Sequence, residues 1–184
     1  MARTATARSP TRATVAYHEA GHVVLGVSVG VDVVGVTMRR TSTQHAMTHT
    51  RDAVGGRILA GVFPINPLVE ALALGRVRYS LAGFAAERIF TGARGMPDDG
   101  AHGDLGFARQ YVRAIAPGAD DDFCTMMCLV QWPKTRAFVR RHWKHVQVVA
   151  RALVASQGLT ERSLAALLRK LPPIAPLQLP AGQK

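Results

Sequence analysis

The chain has 184 residues, 48% of them apolar, with a formal net charge of +11 and only two cysteines. That length allows one domain with a real core, or a domain with a small appendage, and the apolar share excludes a wholly disordered chain. Aromatic residues make up 6%, so the core rests on Ala, Val and Leu, and Ala and Leu favour helices. The positive excess suits either an acidic partner, such as nucleic acid or an anionic membrane, or a solvated basic surface. No nucleic-acid motif accompanies it, which favours the surface.

The opening MARTATARSP is polar and basic with no apolar run behind it, unlike a secretory signal. Residues 1–8 read as disordered. Ser9-Pro10 has the form of a helix start, Ser as cap and Pro in the first turn. The helix is predicted to run to about Ser28, with Gly30 as its stop. Residues 31–40, VDVVGVTMRR, are rich in β-branched side chains and read as a strand, and 43–50 as a weaker strand pairing with it. Residues 51–66 read as a Gly- and Pro-punctuated loop with a short apolar piece. From Pro67 to about Phe90 the apolar spacing suits a helix, with a break near Gly75. TGARGMPDDGAHG, residues 91–103, is a loop by composition.

A further helix is predicted from about Asp104 to Ala116, ended by Pro117-Gly118. Acidic residues open the next at DDDFC, where they suit the helix dipole. Pro133 to Gln157 reads as one long helix, buried along Val139, Trp143, Val146, Ala150 and Leu153, with Gly158 as its stop. Thr160 caps a last helix ending before Pro172-Pro173, and residues 172–184 read as a Pro-rich flexible tail. The predicted fold is mainly α, in the α+β sense, with a small β-hairpin or sheet after the first helix. Cys124 and Cys128, four apart in CTMMC, read as small buried side chains, since two thiols alone do not close a zinc site. Neither residues 23–36, which carry Asp32, nor residues 54–75, which carry Arg57, Pro64, Pro67 and Glu70, make a good membrane span. The expectation is a soluble, cytoplasmic protein without a membrane span.

VAYHEAGHVVLG, residues 15–26, holds the chemistry. Residues four apart on a helix share one face about a turn apart, so His18 and His22 can both turn a ring nitrogen to one metal ion. Glu19 is rotated away from direct ligation but reaches a water on that metal. Two zinc ligands and a general base on one helix form the pattern of zinc hydrolases. Ala20 and Gly21 are small and allow close packing beside the metal. A third ligand must come from downstream, and the candidates are His45, His49, Glu87, Asp98, Asp99, His102 and Asp104. His45 and His49 repeat the four-residue spacing, but in a strand-like stretch where that spacing does not bring side chains together. His142 and His145 read as surface or flanking residues.

These residues carry a resemblance. VAYHEAGHVV is similar to the active-site helix of the peptidase domain of FtsH-type ATP-dependent zinc proteases. VVGVTMRR resembles the strand after that helix, LAGFAAERIFTG a Gly-Arg-x-Ala-Glu-Glu helix, and GAHGDLGFARQYVRAI the segment supplying the third zinc ligand. GLTERSLAALL and the long helix before it resemble the C-terminal helices. The similarity covers about residues 12–171, within a domain of residues 9–171. It implies a helical zinc-peptidase fold, Zn2+ held by His18, His22 and Asp104, Glu19 as base, and Glu87 as a residue orienting a histidine. Glu87 stays the runner-up third ligand.

Phe84 stands where the family has arginine, Arg88 where it often has glutamate, and Gly103 where it usually has asparagine. No G-x-x-x-x-G-K-[ST] phosphate loop is present in these 184 residues, so a substrate-unfolding ATPase or adaptor would be a separate partner. The family's hexamer is the homo-oligomer the resemblance implies.

The function so implied is zinc-dependent endopeptidase activity on unfolded or flexible polypeptide, with the strand at 33–39 as the edge that an extended substrate joins. The alternative is a catalytically weak or inactive peptidase-fold module with a regulatory or protein-binding role. Residues 134–170 carry nine Lys or Arg and one acid, Glu161, and would dock an acidic partner. Glu19 separates the two readings, because a decayed enzyme has no need of a base. Nucleic-acid binding through the basic helices ranks third and predicts strongly salt-dependent affinity.

Overall fold

The structure, a computed structural model, describes residues 11–38, 46–96 and 103–176. These form seven helices and three strands: α1 (Arg12–Ser28), β1 (Asp32–Thr37), β2 (Met47–Arg51), α2 (Ala53–Leu59), α3 (Pro67–Thr91), α4 (Asp104–Ile115), α5 (Asp121–Arg141), α6 (Trp143–Ser156), β3 (Gly158–Thr160) and α7 (Glu161–Leu168). The fold is mainly helical with one small antiparallel sheet, as composition and patterning predict. No helix among the described residues is long and apolar enough to cross a membrane.

α1 is the central element. It packs chiefly on α3 and α6 and buries Ala16, Ala20, Val23 and Val24 completely. Its cap is Thr11, whose side chain accepts from the Thr14 amide at 3.1 Å; Ser9 and Pro10 lie outside the described residues. Gly21 sets how closely α1 meets α3. A Cβ there would stand 2.9 Å from the carbonyl carbon of Ala82 and from Ala86 Cβ, and nearer still to the Ala82 oxygen. Only a glycine lets the two backbones meet at this distance.

The sheet order is β2-β1-β3. β1 is therefore the middle strand and not an edge: Val36 pairs with Thr48 on one side and with Leu159 on the other. β3, which the sequence pattern did not predict, takes the second side. It forms because Gln157 ends α6 in the left-handed conformation, at φ 60°, and turns Gly158–Thr160 back along β1. Among the described residues β2 and β3 are thus the edge strands, and β2 is the one that lines the cleft described below.

Three other elements depart from the pattern. Residues 53–59 form a helix in place of a loop. Asp52 caps it through the Gly55 amide at 2.9 Å, and Ile58 is buried. Asp52 is itself held by Arg76, which is only 2% exposed and donates from Nε and Nη2 to both carboxylate oxygens, at 3.0 and 2.8 Å. Arg76 Nη1 donates to the Val29 carbonyl at 3.1 Å, which completes its pairing.

α3 is continuous through Gly75, which is buried inside it, and it is capped at Asn66 and Gly92. The break expected at Pro133 falls instead at His142, between α5 and α6. Cys128, Gln131, Trp132 and Thr135 are buried on both sides of Pro133, and α5 continues across it. Cys124 and Cys128 are buried free thiols. His145 is not a surface residue: it is buried, and its Nε2 donates to the Pro172 carbonyl at 2.8 Å. Ile174 packs against the core, so the first residues of the segment 172–184 are held in place. Residues 1–8 and 177–184 lie outside the described residues.

Candidate metal centre

α1 presents His18 and His22 toward α3 and the start of α4. His22 Nδ1 donates to the Tyr79 carbonyl on α3 at 2.9 Å, and His18 Nδ1 donates to Glu87 Oε2, also on α3, at 3.2 Å. Both partners accept, so each Nδ1 carries a proton, and Nε2 of each ring faces the other way, where a neutral ring would offer its lone pair. There the two Nε2 atoms lie 3.2 Å apart, and Asp104 Oδ2 lies 2.9 Å from His18 Nε2 and 3.1 Å from His22 Nε2.

Three acceptor atoms so close need positive charge among them. Without a metal, a proton supplies it. Burial pushes the His18 pKa down, but hydrogen bonds to Asp104 and Glu87 outweigh it and lift the pKa to about 10. Burial also pushes the Asp104 carboxyl up, yet the two histidines hold it well below the usual carboxylate range. Two ligand atoms on a tetrahedral zinc, each about 2.0–2.1 Å from the ion, stand about 3.3 Å apart. The observed triangle of 2.9, 3.1 and 3.2 Å is within a few tenths of that. Among the described residues, His18, His22 and Asp104 form the group able to hold a metal ion.

Gly83 on α3 keeps the ligand tips clear. A Cβ at this position would lie 2.6 Å from His18 Cδ2 and closer still to both Nε2 atoms. The donor set, its spacing and this side-chain-free wall all fit a bound divalent ion. Asp104 reaches the group because Gly103, at φ 126° and ψ −123°, turns the chain into α4 through a backbone that side-chain-bearing residues rarely adopt. A glycine at position 103 is therefore matched to the local geometry.

Glu19 faces the same cleft and is 7% exposed. Thr48 of β2 donates from Oγ1 to Glu19 Oε2 at 2.5 Å. The cleft holds ≈ 520 Å³ and is walled by Tyr79, Phe84, Phe107 and Tyr111, with Met47, Thr48 and Thr50 of β2 along one side. Phe84 stands edge-on to His18, with ring centroids 5.1 Å apart.

The sequence candidates thus separate. His18, His22 and Asp104 converge, Glu19 stands beside them, and Glu87 bonds to the far nitrogen of His18. His49 is turned to Thr37 Oγ1, at 3.1 Å, and takes no part. His45, Asp98, Asp99 and His102 lie outside the described residues. Gly83, Thr48 and the Tyr79 carbonyl were not singled out from the sequence. Only Gly83 left a signal there: a glycine inside a helical pattern costs about 1 kcal/mol relative to alanine and asks for a packing reason.

No protein-family model matches the chain, and no curated protein matches it.

Proposed function

We propose that the chain is a zinc-dependent metalloendopeptidase that hydrolyses peptide bonds in unfolded or flexible polypeptides. The observation that carries this reading is the convergence of His18 Nε2, His22 Nε2 and Asp104 Oδ2 in one cleft with the Glu19 carboxylate. His18, His22 and Asp104 would hold the ion, three protein ligands being usual at a catalytic zinc. When bound, zinc polarises a carbonyl and lowers the pKa of water to near neutrality. Glu19 takes the proton of the attacking water and gives it to the leaving amine as the carbon–nitrogen bond breaks.

The position of β2 supports a polypeptide substrate. Among the described residues, β2 pairs only with β1, and it runs along the cleft. An extended segment laid on its outer edge gains main-chain hydrogen bonds and passes the ligand group. Folded proteins offer few such segments, which favours unfolded substrates and a separate ATPase or adaptor to supply them.

The test is metal analysis together with cleavage of an unfolded casein-type substrate. The wild-type protein should hold about one zinc per chain, lost in His22→Ala and Asp104→Ala. Glu19→Gln should keep the zinc and lose cleavage. Cleavage undiminished in Glu19→Gln overturns the mechanism. Zinc kept in Asp104→Ala but lost in Glu87→Ala overturns the ligand assignment.

A further inference from the structure

Glu19 is only 7% exposed, and a buried carboxyl oxygen requires a hydrogen-bond partner. Among the described residues that partner is the Thr48 hydroxyl, 2.5 Å from Oε2. The two residues are 29 positions apart and meet only because β2 folds back along the cleft. On a strand, alternate side chains share a face. Thr48 therefore turns to Glu19, while its neighbour His49 turns the other way and meets Thr37.

We propose that Thr48 is a positioning residue for Glu19. This inference rests on the peptidase reading above. The hydroxyl occupies Oε2 and fixes the rotation of the carboxylate. Oε1 is then the oxygen left to take the proton from water. Without the hydroxyl, the carboxylate can turn about its last side-chain bond, and the share of molecules with the base correctly aimed falls. Because β2 is also the strand on which an extended segment would lie, one strand both seats the substrate and aims the base. The bland alternative is that threonine is there as a β-branched strand former and its hydroxyl bonds whatever acceptor is near.

Thr48→Val separates the two. Valine keeps the shape and the strand preference and removes only the hydroxyl. A charge-assisted hydrogen bond of this kind predicts a fall in kcat of about ten- to a hundredfold. KM should stay within about twofold, since main-chain pairing does not use the hydroxyl. The zinc content should stay at the wild-type level, and Thr48→Ser should restore most of kcat.

A second readout needs neither metal nor turnover. In metal-free protein, Thr48→Val should lower the denaturant midpoint, and the shift should largely vanish when Glu19 is already alanine. Equal shifts in both backgrounds, or a Thr48→Val enzyme as fast as a wild type that cleaves, overturns this inference alone. A wild type that holds no zinc and cleaves nothing overturns the peptidase reading, and this inference with it.

Discussion

Gly83→Ala tests the ligand cradle with one methyl group. The added carbon would fall 2.6 Å from His18 Cδ2, whereas carbon atoms in contact normally stand about 3.5 Å apart. The ring must therefore move by about 0.9 Å, and the His22 tip, crowded by the same carbon, must move with it. Both rings are tied at Nδ1, to Glu87 and the Tyr79 carbonyl, so neither shifts without losing its tether. Metal–ligand distances tolerate about 0.2 Å, which is several times less than the movement required. Zinc affinity should fall by at least about a hundredfold, more than a change confined to the outer hydrogen bonds gives. The helix itself should not suffer, because alanine is favoured over glycine there by about 1 kcal/mol. Chelator competition measures the affinity, while helical circular dichroism and the melting of metal-free protein check the fold. A Gly83→Ala variant that holds zinc at wild-type affinity refutes the ligand geometry.

Other perturbations follow from the same contacts. Zinc binding needs both Nε2 lone pairs, and in metal-free protein the His18 pKa is lifted to about 10. Binding at neutral pH should therefore release a proton, and affinity should rise about tenfold per pH unit between about pH 7 and 10. Calorimetry in buffers of different ionisation enthalpy checks this, and a pH-independent affinity contradicts it. The same raised pKa stabilises the metal-free fold fully below about pH 6.5, and that contribution is lost as pH climbs through about 10. Asp52 has the opposite sign. Burial raises its pKa, but Arg76 and the Gly55 amide pull it below the ordinary value. Its contribution is present above about pH 4 and is lost as pH falls through the depressed pKa. Asp52→Ala leaves the Arg76 guanidinium buried and unpaired, which should cost about 3–5 kcal/mol at neutral pH. It should also flatten the acid limb of a stability–pH profile. Gly21→Ala presses a methyl on the Ala82 backbone, which cannot swing aside. After the helix-propensity gain the net loss should be about 2 kcal/mol, a melting drop of roughly 6 °C.

The sequence made the short-range parts of the centre legible. Four-residue spacing on a helix was enough to pair His18 with His22 and to set Glu19 beside them. Asp104 was one of seven candidates on residue type, and only family resemblance selected it; its 86-residue separation from His18 is closed by tertiary packing. The misreadings have physical reasons of the same kind. α2 contains Gly55 and Gly56 and little apolar period, so its stability comes from the Asp52 cap and the Arg76 beneath it. Pro133 lacks a donor, yet the buried residues around it hold the helix, and the chain bends nine positions later at His142. β1 looked like an edge because its second partner lies more than a hundred residues away. Thr48 carries no local mark of its role, because its acceptor is on another element.

The placing of α1 bears on the order in which the molecule assembles. The helix that carries His18, Glu19 and His22 is made before α3 and α6, which cover it, and its neighbouring strand is completed by β3. Contacts of such long range form slowly, since the intervening chain must be closed before they repay it. During synthesis, α1 lacks its contacts with α6 until residues beyond 143 emerge, and Asp104 arrives well before that. His18, Glu19, His22 and Asp104 are therefore all synthesised before the core around α1 is closed. A nascent chain paused between α4 and α6 would carry all three residues of the candidate metal group without the α6 side of the core that packs behind α1.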